Sequence, residues 1–174
     1  MADLNGKNIA IIATNGFEDS ELTSPKEAVE SAGATTKVVS TETGEIEGKK
    51  GAKVAVDAKT ADASVDEFDA LILPGGTINA DTIRTDADAV ALVKAFKDAG
   101  KPIGVICHGG WILADADLLK GVKLTSVANV KTDLANAGAN WVDEEVVVDS
   151  GFISSRTPDD LPAFNATIVE EFAK

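Results

Sequence analysis

Short apolar runs alternate along this chain with longer segments whose apolar residues recur at helical spacing. Asn8-Ile9-Ala10-Ile11-Ile12-Ala13 is nearly all apolar, which suits a strand covered on both faces. After Thr14-Asn15-Gly16-Phe17, the segment from Glu18 to Ala32 carries Leu22, Ala28 and Val29 on one helical face and stops at Gly33. Thr36-Lys37-Val38-Val39-Ser40 predicts a second strand. Gly44, Gly48 and Gly51 break the polar segment that follows, and Lys53-Val54-Ala55-Val56-Asp57 alternates as a half-exposed strand does. Ala70-Leu71-Ile72-Leu73 is a third buried run, closed by Pro74-Gly75-Gly76. Asp86 to Ala99 predicts an amphipathic helix through Ala89, Val90, Leu92, Val93 and Phe96, ending at Gly100-Lys101-Pro102. A further apolar run from Ile103 ends at Cys107, just before the helical-looking Trp111-Ile112-Leu113-Ala114. Lys123-Leu124-Thr125-Ser126 and Glu145-Val146-Val147-Val148 read as strands, with Asp149-Ser150-Gly151 as a hairpin turn into Phe152-Ile153-Ser154-Ser155. Thr157-Pro158-Asp159-Asp160 is expected to cap a last helix reaching Phe172, with proline at its first position.

Strands alternating with helices predict an α/β sandwich, a mostly parallel sheet with helices on both faces. No repeat, low-complexity tract or linker divides the chain, so residues 1–174 are expected to form one domain. Apolar content of 44% and a mean hydropathy of +0.05 are ordinary for a soluble globular protein. No stretch approaches a membrane span, and Met1 to Lys7 lacks the basic flank and cleavage site of a signal peptide, so a cytoplasmic protein without a membrane partner is expected. Sixteen basic against 29 acidic side chains leave a net charge of -13, spread along the chain, which disfavours electrostatic binding to nucleic acid or anionic lipid. One cysteine cannot form an internal disulfide, and one Cys with one His falls short of an ordinary zinc site, so no metal is expected.

The chemistry concentrates in Ile106-Cys107-His108-Gly109-Gly110, where the only cysteine precedes the only histidine. A strand turning sharply into a helix presents one side chain at the apex, near free N–H groups that stabilise a thiolate and lower its pKa. Cys107 is therefore a candidate nucleophile, the plainer alternative being a small buried cysteine beside a structural histidine. In an open parallel sheet the loops after the first, third and fourth strands lie along one edge, bringing Glu18, Gly75-Gly76 and Cys107-His108 together. Glu18 could shuttle the thiol proton, or serve only as a first-turn acid favoured by the helix dipole. Gly75-Gly76 reads either as a turn or as backbone N–H groups that approach an oxyanion, with the N–H of His108 as their partner. Any base other than His108 must be a carboxylate, since the chain has no second histidine and no tyrosine. Trp111 and Trp141 read as core residues in preference to interface ones.

These residues resemble the PfpI family of intracellular cysteine hydrolases, within a superfamily that shares a flavodoxin-like fold with class I glutamine amidotransferases. The resemblance spans nearly the whole chain: Gly16 to Leu22, Glu67 to Gly76, Gly100-Lys101-Pro102, Ile106 to Gly109, Asn136 to Ala139, Glu145 to Asp149 and Ser154 to Leu161. It implies a flavodoxin-like three-layer sandwich, Cys107 as elbow nucleophile, Glu18 as its carboxyl partner, His108 as neighbouring base and Asp81 as an acid lent to an adjacent subunit. Two departures stand out: Gly110 replaces the usual proline, and the loop to Asp81 is one residue longer than in some relatives. Family members are described as peptidases, as cofactor-free glyoxalases or deglycases acting on α-oxoaldehydes and their protein adducts, and as stress proteins with an oxidisable cysteine. The expectation carried forward is attack of Cys107 on a small aldehyde or a glycated protein, without cofactor, in a homodimer or larger homo-oligomer. A shared Cys-His-Asp peptidase triad and a non-enzymatic redox sensor or holdase are the alternatives.

Overall fold

The apolar runs place their side chains alternately above and below a sheet, and the computed structural model, which describes residues 2–174, shows what covers each face. In chain order the elements are β1 (Asn8–Ile12), α1 (Asp19–Ser31), β2 (Thr35–Ser40), β3 (Gly44–Glu47), β4 (Lys53–Val56), β5 (Ala58–Lys59), β6 (Ala70–Leu73), α2 (Thr77–Ile83), α3 (Ala87–Asp98), β7 (Ile103–Ile106), α4 (Trp111–Asp115), β8 (Lys123–Leu124), α5 (Lys131–Asn136), β9 (Asn140–Trp141), β10 (Val147–Asp149), β11 (Phe152–Ser155) and α6 (Leu161–Phe172). Seven strands form the central sheet in the order β10-β11-β7-β6-β1-β2-β5, parallel except for the β10–β11 hairpin. Ile9 and Ile11 face one side with Leu22 and Val29 of α1 and Phe164, Ile168 and Phe172 of α6. Ala10 and Ile12 face the other side, against Ile83 of α2, Val93 and Phe96 of α3, and Leu113 of α4. This is the flavodoxin-like three-layer sandwich expected, with β6 and β7 buried along their whole length.

Packing explains one unusual strand residue. A Cβ added to Gly104 in β7 would lie 3.0 Å from Ile168, 3.2 Å from Phe164 and 3.5 Å from Phe172, so the missing side chain is the space that α6 occupies. The chain enters the sheet at β1, runs outward to β2 and β5, and returns to β6 on the other side of β1. The order of strands therefore reverses between β1 and β6, and their C-terminal loops flank the crevice where such sheets bind ligands.

The structure departs from the sequence reading in four places. A helix, α2, fills the stretch after Gly76 where no element is expected. Four β-branched residues and a glycine N-cap without a side-chain bond give it little local support. Its buried Asn79 supplies tertiary support, accepting from the Thr14 N–H at 2.7 Å and donating to the carbonyls of Gly75 at 2.9 Å and Pro74 at 3.2 Å. The polar segment after Ser40 contains β3, paired with β4 as a separate hairpin. Lys123–Leu124 pairs with β9 outside the main sheet, because the Thr125 N–H bonds the Ser154 hydroxyl at 3.0 Å in place of a ladder. Finally, Thr157 makes no side-chain cap: Pro158–Asp160 forms a 3₁₀ turn before α6, and the Asp160 carboxylate turns back to the Arg156 backbone and guanidinium at 2.9 to 3.0 Å.

Candidate active site

β7 ends at Ile106, and the next residue reverses the chain: Cys107 has φ +61, a left-handed conformation that non-glycine residues rarely adopt. The strained elbow lifts the half-buried thiol out of the sheet edge, with its Sγ 3.3 Å from Nδ1 of His108. His108 Nε2 lies 3.3 Å from the Thr77 hydroxyl, and Trp111 stands edge-on to the imidazole with ring centroids 5.5 Å apart. Burial, followed by the positive charge of Lys49, holds His108 below its ordinary pKa, so the imidazole is neutral at physiological pH and able to accept a proton. Trp111 is itself half-buried, donates to Asp133 at 2.8 Å and carries the Arg84 guanidinium 5.0 Å above its ring. Both tryptophans pack against the core, as expected, but Trp111 also forms a wall of the site.

The carboxyl beside the sulfur is Glu21, not Glu18. Glu21 has no solvent exposure, accepts from the Gly75 N–H at 3.0 Å through Oε1 and interacts with the neighbouring Cys107 thiol, while its Oε2 has no hydrogen-bond partner. Burial, then the neighbouring charge of Glu18, pushes its pKa up to about 7. Glu18, one turn earlier, pairs with Lys49 and, at 3.0 Å, with Lys50. Burial alone would raise the Glu18 carboxyl, but the hydrogen bonds and charges of the two lysines outweigh it and keep the pKa below 4.5. A group so held does not exchange protons near neutrality, which removes Glu18 from the proton-shuttle role. Its place at the N-cap of α1 is one where the helix dipole favours an acid, although it makes no side-chain cap. Glu21 was legible as an anomaly: it shares the buried stripe of α1 with Leu22, Pro25 and Val29, where an acid is out of place.

The expected depression of the thiol pKa is not found. Burial and the charge of Glu21 push Cys107 up to about 12, although the N–H groups of His108 and Gly76 act in the opposite direction. The pair therefore does not lose both protons near neutral pH; above about pH 7 it holds one proton and one negative charge. Either sulfur or carboxyl can carry that proton, and the tautomer with a thiolate and a neutral Glu21 is the nucleophilic one.

The two glycines after β6 divide the work. Gly75 gives its N–H to Glu21, and an added Cβ there would lie 2.4 Å from Oε1 of Glu21 and 2.8 Å from Cβ of Cys107. Gly76, at φ +90, aims its N–H at the sulfur, and a Cβ would fall 2.5 Å from both the Glu18 nitrogen and the Gly16 oxygen. Glycine is the residue that allows this approach of three backbone segments. Gly110 has φ -70, an angle that proline also adopts. Asp81 lies exposed on α2 and is not among the hydrogen-bond partners of His108 within the chain. Among the described residues no group of three or more His, Cys, Asp or Glu side chains is arranged to hold a metal ion, and no helix is long and apolar enough to cross a membrane.

The chain is similar to known proteins in sequence and in fold. The chain is 52% identical over 168 residues to an uncharacterised protein of Staphylococcus saprophyticus, covering 95% of this chain and 97% of that one. It is 46% identical over 160 residues to YraA of Bacillus subtilis, provisionally described as a cysteine protease, covering 91% and 94%. A two-domain protein of Anabaena variabilis, with DJ-1/ThiJ/PfpI-like and ferritin-like domains, superposes with a TM-score of 0.92 at 34% identity, covering 94% of this chain and 49% of that one. This chain thus spans about half of that protein. Drosophila melanogaster DJ-1beta superposes with a TM-score of 0.89 at 27% identity, covering 96% and 90%. The sequence profile of the DJ-1/PfpI family matches residues 7–171, and together with the elbow cysteine in its flavodoxin-like sheet this establishes that the chain belongs to the DJ-1/PfpI family.

Proposed function

We propose that this protein is a cofactor-independent cysteine enzyme converting α-oxoaldehydes such as methylglyoxal and glyoxal, or their early protein adducts, into hydroxy acids. The observation that carries the reading is the buried Glu21 carboxyl, its pKa raised to about 7, against a cysteine held at a left-handed elbow. Glu21 takes the thiol proton as Sγ attacks the aldehyde carbon, and it returns that proton to the alkoxide, forming a hemithioacetal. The His108 and Gly76 N–H groups, which favour negative charge at sulfur, are available to the oxygen that inherits it. Neutral His108 removes the hydrogen from the former aldehyde carbon and delivers it to the adjacent one, and the hydroxyl proton moves to the second oxygen. The product is a thioester of the hydroxy acid. Water cleaves the thioester, releasing lactate from methylglyoxal and restoring the thiol; the net reaction adds one water and needs no oxidant or reductant.

The test is lactate formation from methylglyoxal without glutathione. Cys107→Ala is expected to abolish it, and Glu21→Gln to lower kcat by about 10²- to 10⁴-fold, the usual contribution of a positioned proton carrier. Glu18→Gln is expected to cost far less. Turnover that survives Cys107→Ala would overturn the proposal.

The kinship to YraA favours one alternative, a peptidase in which the exposed Asp81 of one copy completes the Cys107-His108 pair of another. Casein cleavage that requires Cys107 and Asp81, without lactate formation, would install that reading in place of the first. Oxidation of Cys107 to a sulfinic acid under mild peroxide, with neither activity present, would favour the redox sensor.

A further inference from the structure

The turn between β3 and β4 is fastened to the first turn of α1 with unusual completeness. Gly16 N–H donates to the Glu47 carbonyl at 2.9 Å and Lys49 N–H to the Phe17 carbonyl at 3.0 Å. The Asp19 carboxylate accepts from the N–H groups of Lys50 at 2.9 Å and Ala52 at 2.8 Å. With the backbone so fixed, the Lys49 and Lys50 ammonium groups converge on the nearly buried Glu18 carboxylate. Glu18 is itself seated against the site: its N–H bonds the Gly75 carbonyl at 3.2 Å, and Gly75 abuts Cβ of Cys107. Two ammonium groups share the Glu18 carboxylate at the rim, in a chain of net charge -13. The charge of Lys49 is felt by Glu21, Cys107 and His108 alike.

We infer that Lys49 is the cation of the active site: clamped by Glu18 on the β3–β4 turn, it draws negatively charged electrophiles to Cys107 and stabilises negative charge developing on the bound substrate. This rests on Cys107 as the nucleophile and adds a substrate preference. Among small aldehydes of equal size, those bearing a carboxylate near the reacting carbon are favoured over neutral ones. Glu18 becomes a positioning residue, acting through Lys49.

Iodoacetate and iodoacetamide measure this charge directly, because they are close in size, form the same carbon–sulfur bond and release the same iodide, differing in charge. Intact mass followed over time at pH 8 gives the ratio of the two alkylation rates at Cys107. Lys49→Met is expected to lower the iodoacetate-to-iodoacetamide ratio about five- to tenfold, the order expected for one unit charge acting on a reacting group near a protein surface. Lys49→Arg is expected to keep it within about twofold of wild type. Lys53→Met, which removes one charge from the exposed start of β4, is the control and should leave the ratio unchanged. An unchanged ratio in Lys49→Met, or an equal fall in Lys53→Met, overturns the inference. The proposed reaction fails separately: absent lactate formation with the ratio still dependent on Lys49 removes the aldehyde chemistry and leaves the cation in place.

Discussion

At the scale of single residues, Glu21 sets the character of the site and is also the most costly side chain to bury. Its carboxyl titrates at about 7 in the folded chain, against an ordinary 4.5. Between those values the folded state binds a proton that the unfolded state has released, so the free energy of unfolding falls as pH rises through the window. A gap of this width corresponds to about 3 kcal/mol, present below about pH 4.5 and lost above about pH 7. His108, held below its ordinary value, contributes a slope of opposite sign over part of the same range, since its unfolded form takes up a proton first on acidification. Urea unfolding at pH 5.5 and 8.0 separates the two: wild type is expected to lose stability toward pH 8.0, and Glu21→Gln to lose little or gain. Equal slopes in both proteins would show that Glu21 titrates as an ordinary carboxyl. The choice of Glu18 from sequence fails here for a definite reason. Glu18 and Glu21 lie one turn apart, and only packing decides which of them meets lysines and which meets Gly75.

At the scale of elements, the site is held by contacts between loops, and Asn79 is the member that sequence reasoning overlooked. Its amide joins the loop after β1, through Thr14, to the loop after β6, through Pro74 and Gly75. Asn79→Asp preserves the acceptor for Thr14 but faces a carboxylate oxygen toward two carbonyls. It is expected to cost at least about 2 kcal/mol in urea unfolding, as a buried group that loses its donors does. Asn79→Ala, which leaves the Thr14 N–H unpaired, should cost about 1–3 kcal/mol. Slower alkylation of Cys107 in both variants would confirm that the bonds hold the elbow as well as the fold; a loss below about 0.5 kcal/mol would show that the loops hold without the amide. The element itself was hidden because its support is tertiary. Nothing within Thr77–Ile83 resembles a helix start, whereas α3, capped by the Asp86 side chain on the Ala89 N–H, announces itself locally.

At the scale of the whole molecule, a net charge of -13 on 174 residues makes self-repulsion a general destabilising term. Raising sodium chloride from about 0.05 M to about 0.5 M is therefore expected to raise Tm by a few degrees, because screening weakens like-charge repulsion between exposed groups more than it weakens the few partly buried ion pairs. A falling Tm in calorimetry would mean that pairs such as Arg84–Asp115 and Arg156–Asp160 outweigh the repulsion. By itself, the order of apolar runs determined the parallel sheet, its two helical faces and the elbow at Cys107. Burial on both faces demands continuous apolar strands, and a sharp strand-to-helix turn needs its glycines close by in the chain. Only the tertiary structure decided which acid reaches the sulfur, where Lys49 stands and what folds α2. Those outcomes depend on segments distant in sequence packing side by side, and on the desolvation and charge that each then imposes on the other.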